Sequence, residues 1–432
     1  MKIQSKDCFS ITALLAVPLT LMITAWAQSG RTPKPGTQPA PTPAPPAAPL
    51  KPPADKSAAA ADSGKFILIF PKSVKGKETF SDLAEYKRGI SDKLDSLVEE
   101  MNRAGANGYR LISAVRVGCV ALMKLDEGQY QYRHFEIINN FTRWRADFNR
   151  QHEELTRDGF RFVDFFSIYT TREVFNPQVS TKAEDEFTNS FFYEKERSTR
   201  RANKQLLVTA VQNAGDQASA ELSARIGEKF AEGFYPISVL SPFEILLEQV
   251  ADKNELLDDK PDVQIIEEGQ SGDIKQKVNA LAKQGYRIGL VKNGVFVMYR
   301  RRHTSLPPVS YVWLQPHKKD FEKELAKVQA QGAIYRAVYV SPSDDFRNKL
   351  IFEVPPTGVN PPREYRIIKF DFDYTENEAE NKTYYELTAA SKEKWRTMER
   401  LIEDGFEMRD LSTVTDGKLL YSVNLLLERK SN

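Results

Sequence analysis

The sequence predicts an α+β fold of six β-α-β-β units, with antiparallel sheets that carry helices on one face. Three observations predict it. A glycine recurs at six positions behind an amphipathic stripe, an apolar strand precedes each stripe, and two short β-like runs follow each glycine.

The stripe is read by aligning the chain on Gly108, Gly159, Gly233, Gly285, Gly332 and Gly405. Four residues earlier stand Ala104, Leu155, Lys229, Leu281, Val328 and Leu401, and seven earlier Met101, His152, Ile226, Val278, Leu325 and Met398. Eleven earlier stand Leu97, Phe148, Leu222, Ile274, Phe321 and Lys394. A mostly apolar set at these offsets is one face of an α-helix. The glycine falls where a left-handed residue closes the helix, a conformation without penalty only when no Cβ is present. Tyr109, Phe160, Phe234, Tyr286, Ala333 or Phe406 comes next, usually an aromatic able to fold back onto the stripe.

The strands ahead of the helices are "KFILIF", "YQYRHFEI", "KQLLVTAV", "DVQIIEE", "VSYVWLQ" and "EYRIIKFDF". After Gly285 come "YRIGLV", the turn Lys292-Asn293-Gly294 and "VFVMYRRR"; Asn-Gly between alternating apolar runs is a hairpin signal. After Gly405 the corresponding turn is Asp416-Gly417. Phe160, Phe162 and Phe166 alternate with Val163, Phe165 and Tyr169, so this sheet is apolar on both faces. Packing of one unit's sheet against another's is expected to cover the second face.

The glycines are separated by 51 residues (108 to 159) and 74 (159 to 233), then by 47 (285 to 332) and 73 (332 to 405). Short then long, twice, predicts two homologous three-unit halves, residues 63–250 and 262–432, joined by a linker at 251–261 ("ADKNELLDDKP").

Ahead of the folded body, residues 1–27 have the pattern of a signal peptide. Lys2 and Lys6 precede an apolar run from Phe9 to Thr24, and Ala25-Trp26-Ala27 forms a small-residue cleavage site. The alternative is a membrane anchor at residues 9–27, long enough to span a bilayer. Residues 28–62 are rich in proline and alanine and form a disordered spacer without a core. The expected location is periplasmic or secreted. Cleavage leaves Cys119 as the one cysteine, hence no internal disulfide, and its neighbours Val117, Val120 and Leu122 make it a small core residue.

The 432 residues hold 61 Lys and Arg against 59 Asp and Glu, a net charge of +2, which provides no global field for nucleic acid or an anionic membrane. His134, His152, His303 and His317 do not share a helix face, so a metal site is not expected, and no cofactor motif or catalytic elbow accompanies the repeats. Asp216 and Ser219 suit a helix start, and Asp371 and Asp373 alternate with Phe370, Phe372 and Tyr374 as on a solvated strand face.

Helix, Gly-aromatic, strand, turn and a strand ending in basic residues occur together in Gly285-Tyr286 with Tyr299-Arg300-Arg301-Arg302, and in Gly405-Phe406 with Glu428-Arg429-Lys430. In this pattern each unit resembles a small bacterial β-α-β-β domain family of unknown function, without the tryptophan that commonly follows its glycine. The resemblance covers about 25 residues per unit; it implies the fold and no activity.

The remaining candidate site is the strand end. Arg300 and Arg302 project from one face, able to clamp an anionic group, with Tyr299 on the other face. These readings favour an exported, non-enzymatic binding or scaffold module whose partner is an envelope protein or an anionic envelope polymer. The alternative is an envelope hydrolase whose carboxylates converge from different units.

Overall fold

The computed structural model describes residues 65–71, 73–75, 83–115, 120–138, 144–176, 179–198, 204–210, 215–241, 244–249, 261–268, 273–302, 306–316, 318–340, 348–356, 361–377, 379–380, 382–413 and 422–430. The signal segment, the Pro/Ala-rich stretch, the linker except Pro261, Cys119, His303, His317 and Asp416-Gly417 lie outside them. No helix among the described residues is long and apolar enough to cross a membrane.

The fold is α+β, with six helices and antiparallel sheets among the described residues. The first sheet contains β1 (Phe66–Ile69), β3 (Tyr109–Val115) and β4 (Val120–Leu125); β2 (Ser73–Lys75) and α1 (Leu83–Ala106) lie between β1 and β3 in the chain. Next come β5 (Tyr130–Ile138), α2 (Trp144–Arg157), β6 (Arg161–Asn176) and β7 (Val179–Glu196), then β8 (Gln205–Thr209), α3 (Gly215–Ala231), β9 (Phe234–Ser241) and β10 (Glu244–Gln249). The order repeats in β11 (Asp262–Glu267), α4 (Ile274–Lys283), β12 (Arg287–Lys292) and β13 (Val295–Arg300), and in β14 (Ser310–Leu314), α5 (Phe321–Ala330), β15 (Ile334–Val340) and β16 (Asn348–Val354). It ends with β17 (Arg363–Asn377), β18 (Lys382–Leu387), α6 (Ala389–Glu403), β19 (Glu407–Thr413) and β20 (Ser422–Lys430).

In every sheet the last of these strands lies between the other two, as in β1-β4-β3 and β11-β13-β12. The strand after each helix is therefore an edge strand. Each of the six aligned glycines sits just past a helix with φ between 66° and 93°, Gly332 included. After Gly159, Gly285, Gly332 and Gly405 the next N–H reaches back to a helical carbonyl five residues earlier, as Tyr286 does to Leu281 at 3.1 Å and Phe406 to Leu401 at 2.9 Å. This closure satisfies carbonyls that a helix end leaves bare. Asn293 and Gly294, both at positive φ, make the tight turn expected between β12 and β13.

A β-bulge follows each glycine at a constant distance. The edge strands skip one residue of register at Ile112, Val163, Ile237, Gly289, Arg336 and Arg409, each four residues after its glycine. A bulge twists a strand and re-aims the side chains beyond it.

The second sheet face is covered from within. Sheet meets sheet directly in places, as where the rings of Phe296 in β13 and Trp313 in β14 lie 5.4 Å apart and those of Phe352 in β16 and Tyr365 in β17 5.0 Å apart. Helices also pack between neighbouring sheets. Leu94, Leu97 and Met101 of α1 pack on Ile67 and Met123 of their own sheet and on Tyr130, Tyr132 and Phe192 of the next. Helix α3 likewise joins Ile245 to Val263 and Val297, and α5 joins Leu350 to Tyr365 and Leu426. The apolar stripes are wide enough to serve two sheets at once.

The circuit closes on itself. Trp395 and Met398 of α6 share a core with Leu425 of their own sheet and with Leu68, Val120 and Leu122 of the first. Backbone pairing seals the same junction, since Ser73 to Lys75 of β2 add an antiparallel strand to β18. The two long glycine intervals have different origins. The first comes from β6 and β7, which stay paired beyond β5 as far as Asn176 and Val179, and the second from the β17–β18 extension ahead of α6.

Candidate functional site

The six edge strands neighbour one another in the order β3, β6, β9, β12, β15, β19, and β19 returns to β3. An edge strand presents unpaired backbone groups that need partners when they are buried. The next sheet supplies them. Leu111 N–H donates to the Tyr132 hydroxyl at 2.9 Å, Ile288 N–H to Tyr311 at 3.0 Å and Tyr335 N–H to Tyr365 at 2.9 Å. Phe162 N–H donates instead to Gln205 Oε1 at 2.9 Å. Each donor stands three residues after its glycine.

Behind each tyrosine lies a buried glutamate: Glu194, Glu353 or Glu428. The hydroxyls donate to them at 3.3, 3.1 and 3.2 Å respectively. Arginines neutralise them, from two sheets at Glu194 and Glu353 and from the glutamate's own sheet at Glu428. Glu194 meets Arg110 at 3.0 Å and Arg161 at 3.1 Å, Glu353 meets Arg336 at 2.9 Å and Arg287 at 3.4 Å, and Glu428 is held by Arg363 and Arg409. Burial pushes the Glu428 carboxyl up, but the two guanidiniums outweigh it and hold it below its ordinary pKa. Through the tyrosines these groups tie neighbouring sheets together.

A second polar set converges between the edge strands. Asp164 of β6 accepts from Ala114 N–H of β3 at 3.1 Å and forms an ion pair with Lys292 of β12, whose ammonium lies 4.4 Å from the centre of the Phe165 ring. Tyr335 of β15 donates to Asp410 of β19. Burial, and then the charge of Asp164, push the Asp410 carboxyl up to about 6, against the Tyr335 hydrogen bond and Lys292. The cluster thus draws side chains from β6, β12, β15 and β19 to one place. It offers a carboxyl able to exchange a proton under mildly acidic conditions, beside a paired lysine and a tyrosine.

No single segment announces this cluster in the sequence. One signal was available: Asp164 and Asp410 stand five residues after their glycines, the first position beyond the bulge.

The arginines singled out from the sequence do share a face. Arg300 and Arg302 both reach Asp262, at 2.8 and 2.9 Å, and Arg300 also lies 4.8 Å from the centre of the Tyr286 ring. The hydrogen bond from Arg300, followed by that from Arg302, holds the Asp262 carboxyl below its ordinary pKa. Tyr299 packs toward Phe230 of α3, ring centres 6.2 Å apart. A carboxylate of the chain itself thus lies between the two arginines.

His152 is buried, with Nδ1 2.8 Å from the Tyr193 hydroxyl and its ring stacked on Phe148. His134 pairs with Asp95 at 2.8 Å. Asp216 and Ser219 fall within the first turns of α3, and Asp371 lies 3.5 Å from Lys369 and 3.7 Å from Lys394. Among the described residues, no group of three or more His, Cys, Asp or Glu is placed to hold a metal. A groove along α4, lined by Asp273, Lys275, Asn279 and Lys283, gathers none of these clusters. In comparisons with known proteins, no family model, curated protein or solved structure matches this chain.

Proposed function

We propose that the chain is a non-enzymatic binding or scaffold module of a bacterial cell envelope, six β-α-β-β units arranged in a closed circuit and carried on an exported Pro/Ala-rich spacer. The observation that carries this reading is the use of the polar groups between the sheets. Glu194, Glu353, Glu428 and Asp164 are each engaged by arginine, lysine, tyrosine or backbone partners, as befits cross-links of a rigid body. The grouping of units into two halves draws no separate support from the glycine intervals, because the two long ones arise in different places. Export rests on the sequence pattern of residues 1–27.

The partner is an envelope protein or an anionic envelope polymer. For the latter, Arg300 and Arg302 are the contact, and binding requires a polyanion to displace Asp262 from between them. Affinity capture with the mature chain from envelope extract tests the reading: a specific, saturable partner supports it, and substrate turnover by the purified chain overturns it.

A second reading, an envelope hydrolase, is favoured by one observation, the convergence of Asp164 and Asp410 from β6 and β19. It requires that Asp164→Asn and Asp410→Asn each abolish a measured hydrolysis without unfolding the chain.

A further inference from the structure

We propose that Asp410, Tyr335, Asp164 and Lys292 form a proton-operated clamp across the circuit of edge strands, tighter when Asp410 carries a proton. The inference concerns the folded body alone, so it stands or falls independently of the binding reading.

The geometry sets up the switch. Lys292 is already paired with Asp164, and the Asp410 carboxyl, which accepts from Tyr335, lies within electrostatic reach of both. With Asp410 ionised the cluster holds one excess negative charge among packed strands, where charge is costly. With Asp410 protonated the charges balance, and its carboxyl still accepts from Tyr335 while gaining a donor of its own.

Among the described residues, the other cations on the strands around Asp410 are committed elsewhere: Arg336 of β15 to Glu353, and Arg409 of β19 to Glu428 and Glu407. On β3 the one charged residue, Arg110, is committed to Glu194 and Asp126, and β9 has no charged residue. On β20 the residue opposite Asp410 is Leu426, and β20's Glu428 is held by Arg363 and Arg409.

The sign follows from burial. The folded state raises the Asp410 carboxyl to about 6, against an ordinary value near 3.8. The folded chain therefore binds this proton more readily than the unfolded chain. The stabilising contribution is fully present below the ordinary carboxyl pKa and is lost as pH rises through about 6. Strands β15 and β19, joined here by Tyr335 and Asp410, should loosen first.

The test is denaturant unfolding of the full chain from pH 4.5 to 7.5, comparing the native sequence with Asp410→Asn. The variant mimics the protonated carboxyl and keeps every other titrating group, so the difference isolates Asp410. The expected result is a pH dependence smaller in the variant by about one proton between pH 4.5 and 6. Carboxyl NMR of the native chain is the second measurement, and it decides alone if the variant does not fold; the expected resonance titrates near pH 6. Equal pH dependence in the two chains, or an Asp410 resonance titrating at the ordinary carboxylate value, overturns the clamp.

Discussion

A Cβ on Gly289 would stand 2.4 Å from Cε1 of Tyr299, so the glycine of β12 and the tyrosine of β13 share one space. The reason lies one sheet earlier. The other skipped positions carry Ile112, Val163, Ile237, Arg336 and Arg409, and where Tyr299 stands the second, fifth and sixth sheets carry Glu194, Glu353 and Glu428. Those glutamates support tyrosines that accept an N–H from the preceding edge strand. At the corresponding place β9 has Pro236, which has no N–H to offer. Val263 then replaces the tyrosine and Tyr299 the glutamate, and Tyr299 turns its ring toward Phe230.

Gly289→Ala should therefore destabilise the chain by about 2 kcal/mol, through overpacking against a ring that has little room to move. Adding Tyr299→Ala should make the alanine at 289 nearly neutral relative to Tyr299→Ala alone. Denaturant unfolding of the two single variants and the double variant measures the coupling; strict additivity contradicts the contact.

Gly405→Ala isolates a different cause. No atom lies within 4 Å of the added Cβ, so only the left-handed backbone, φ +91°, is strained. The expected cost is about 1–2 kcal/mol, smaller than at Gly289. A neutral result would mean that the helix end relaxes without cost.

Tyr311→Phe should cost about 1–3 kcal/mol, because Ile288 N–H loses its acceptor and Glu353 a donor in a buried place. The comparison is Tyr299→Phe, whose hydroxyl serves no such N–H and which should cost well under half as much.

The contrast among these positions shows what was legible in the sequence. The helix ends were, because a glycine at positive φ and a stripe at helical spacing are local demands, and Gly108 to Gly405 met them all. The β12–β13 hairpin was legible for the same reason. The cover of the second sheet face was legible in part: sheet meets sheet at Phe296–Trp313 and Phe352–Tyr365, but an amphipathic stripe gives its width and not the number of sheets it touches. The cluster between the edge strands was not legible, because Asp164, Lys292, Tyr335 and Asp410 come from four strands that are distant in sequence. The tyrosine–glutamate cross-links were missed although their signal is periodic: Tyr132, Tyr311 and Tyr365 each lie directly opposite a glutamate across the register.

His152 makes stability depend on pH with a sign opposite to that of Asp410. Burial lowers its pKa to about 4, so the folded state holds it neutral. Stability from this group is fully present above the unfolded value near 6.5 and is lost as pH falls toward 4, about 3 kcal/mol at most. His152→Leu should remove that loss between pH 6.5 and 4, at a modest cost at pH 7.5 from the missing Tyr193 hydrogen bond. The check is the difference in unfolding free energy between the two chains across this range; a constant difference would mean that His152 titrates in the folded state as it does in the unfolded one.

The closing contact between the first and last sheets makes the sharpest claim about cooperativity. Leu68 of β1 is buried against the core that holds Trp395 and Met398, more than 300 residues away in sequence. Leu68→Ala should cost about 2–5 kcal/mol through the lost contacts and the cavity left behind. In an open row of repeats such a change would loosen the first unit and spare the last, because each unit contacts only its neighbours. In a closed circuit the first and last units are neighbours, so amide exchange in α6 and β20 should accelerate together with that in β1 and β4. The pairing of Ser73 to Lys75 with β18 adds a second tie at the same place. Exchange that quickens in the first sheet while α6 keeps its native protection would show that the junction is not part of the cooperative core.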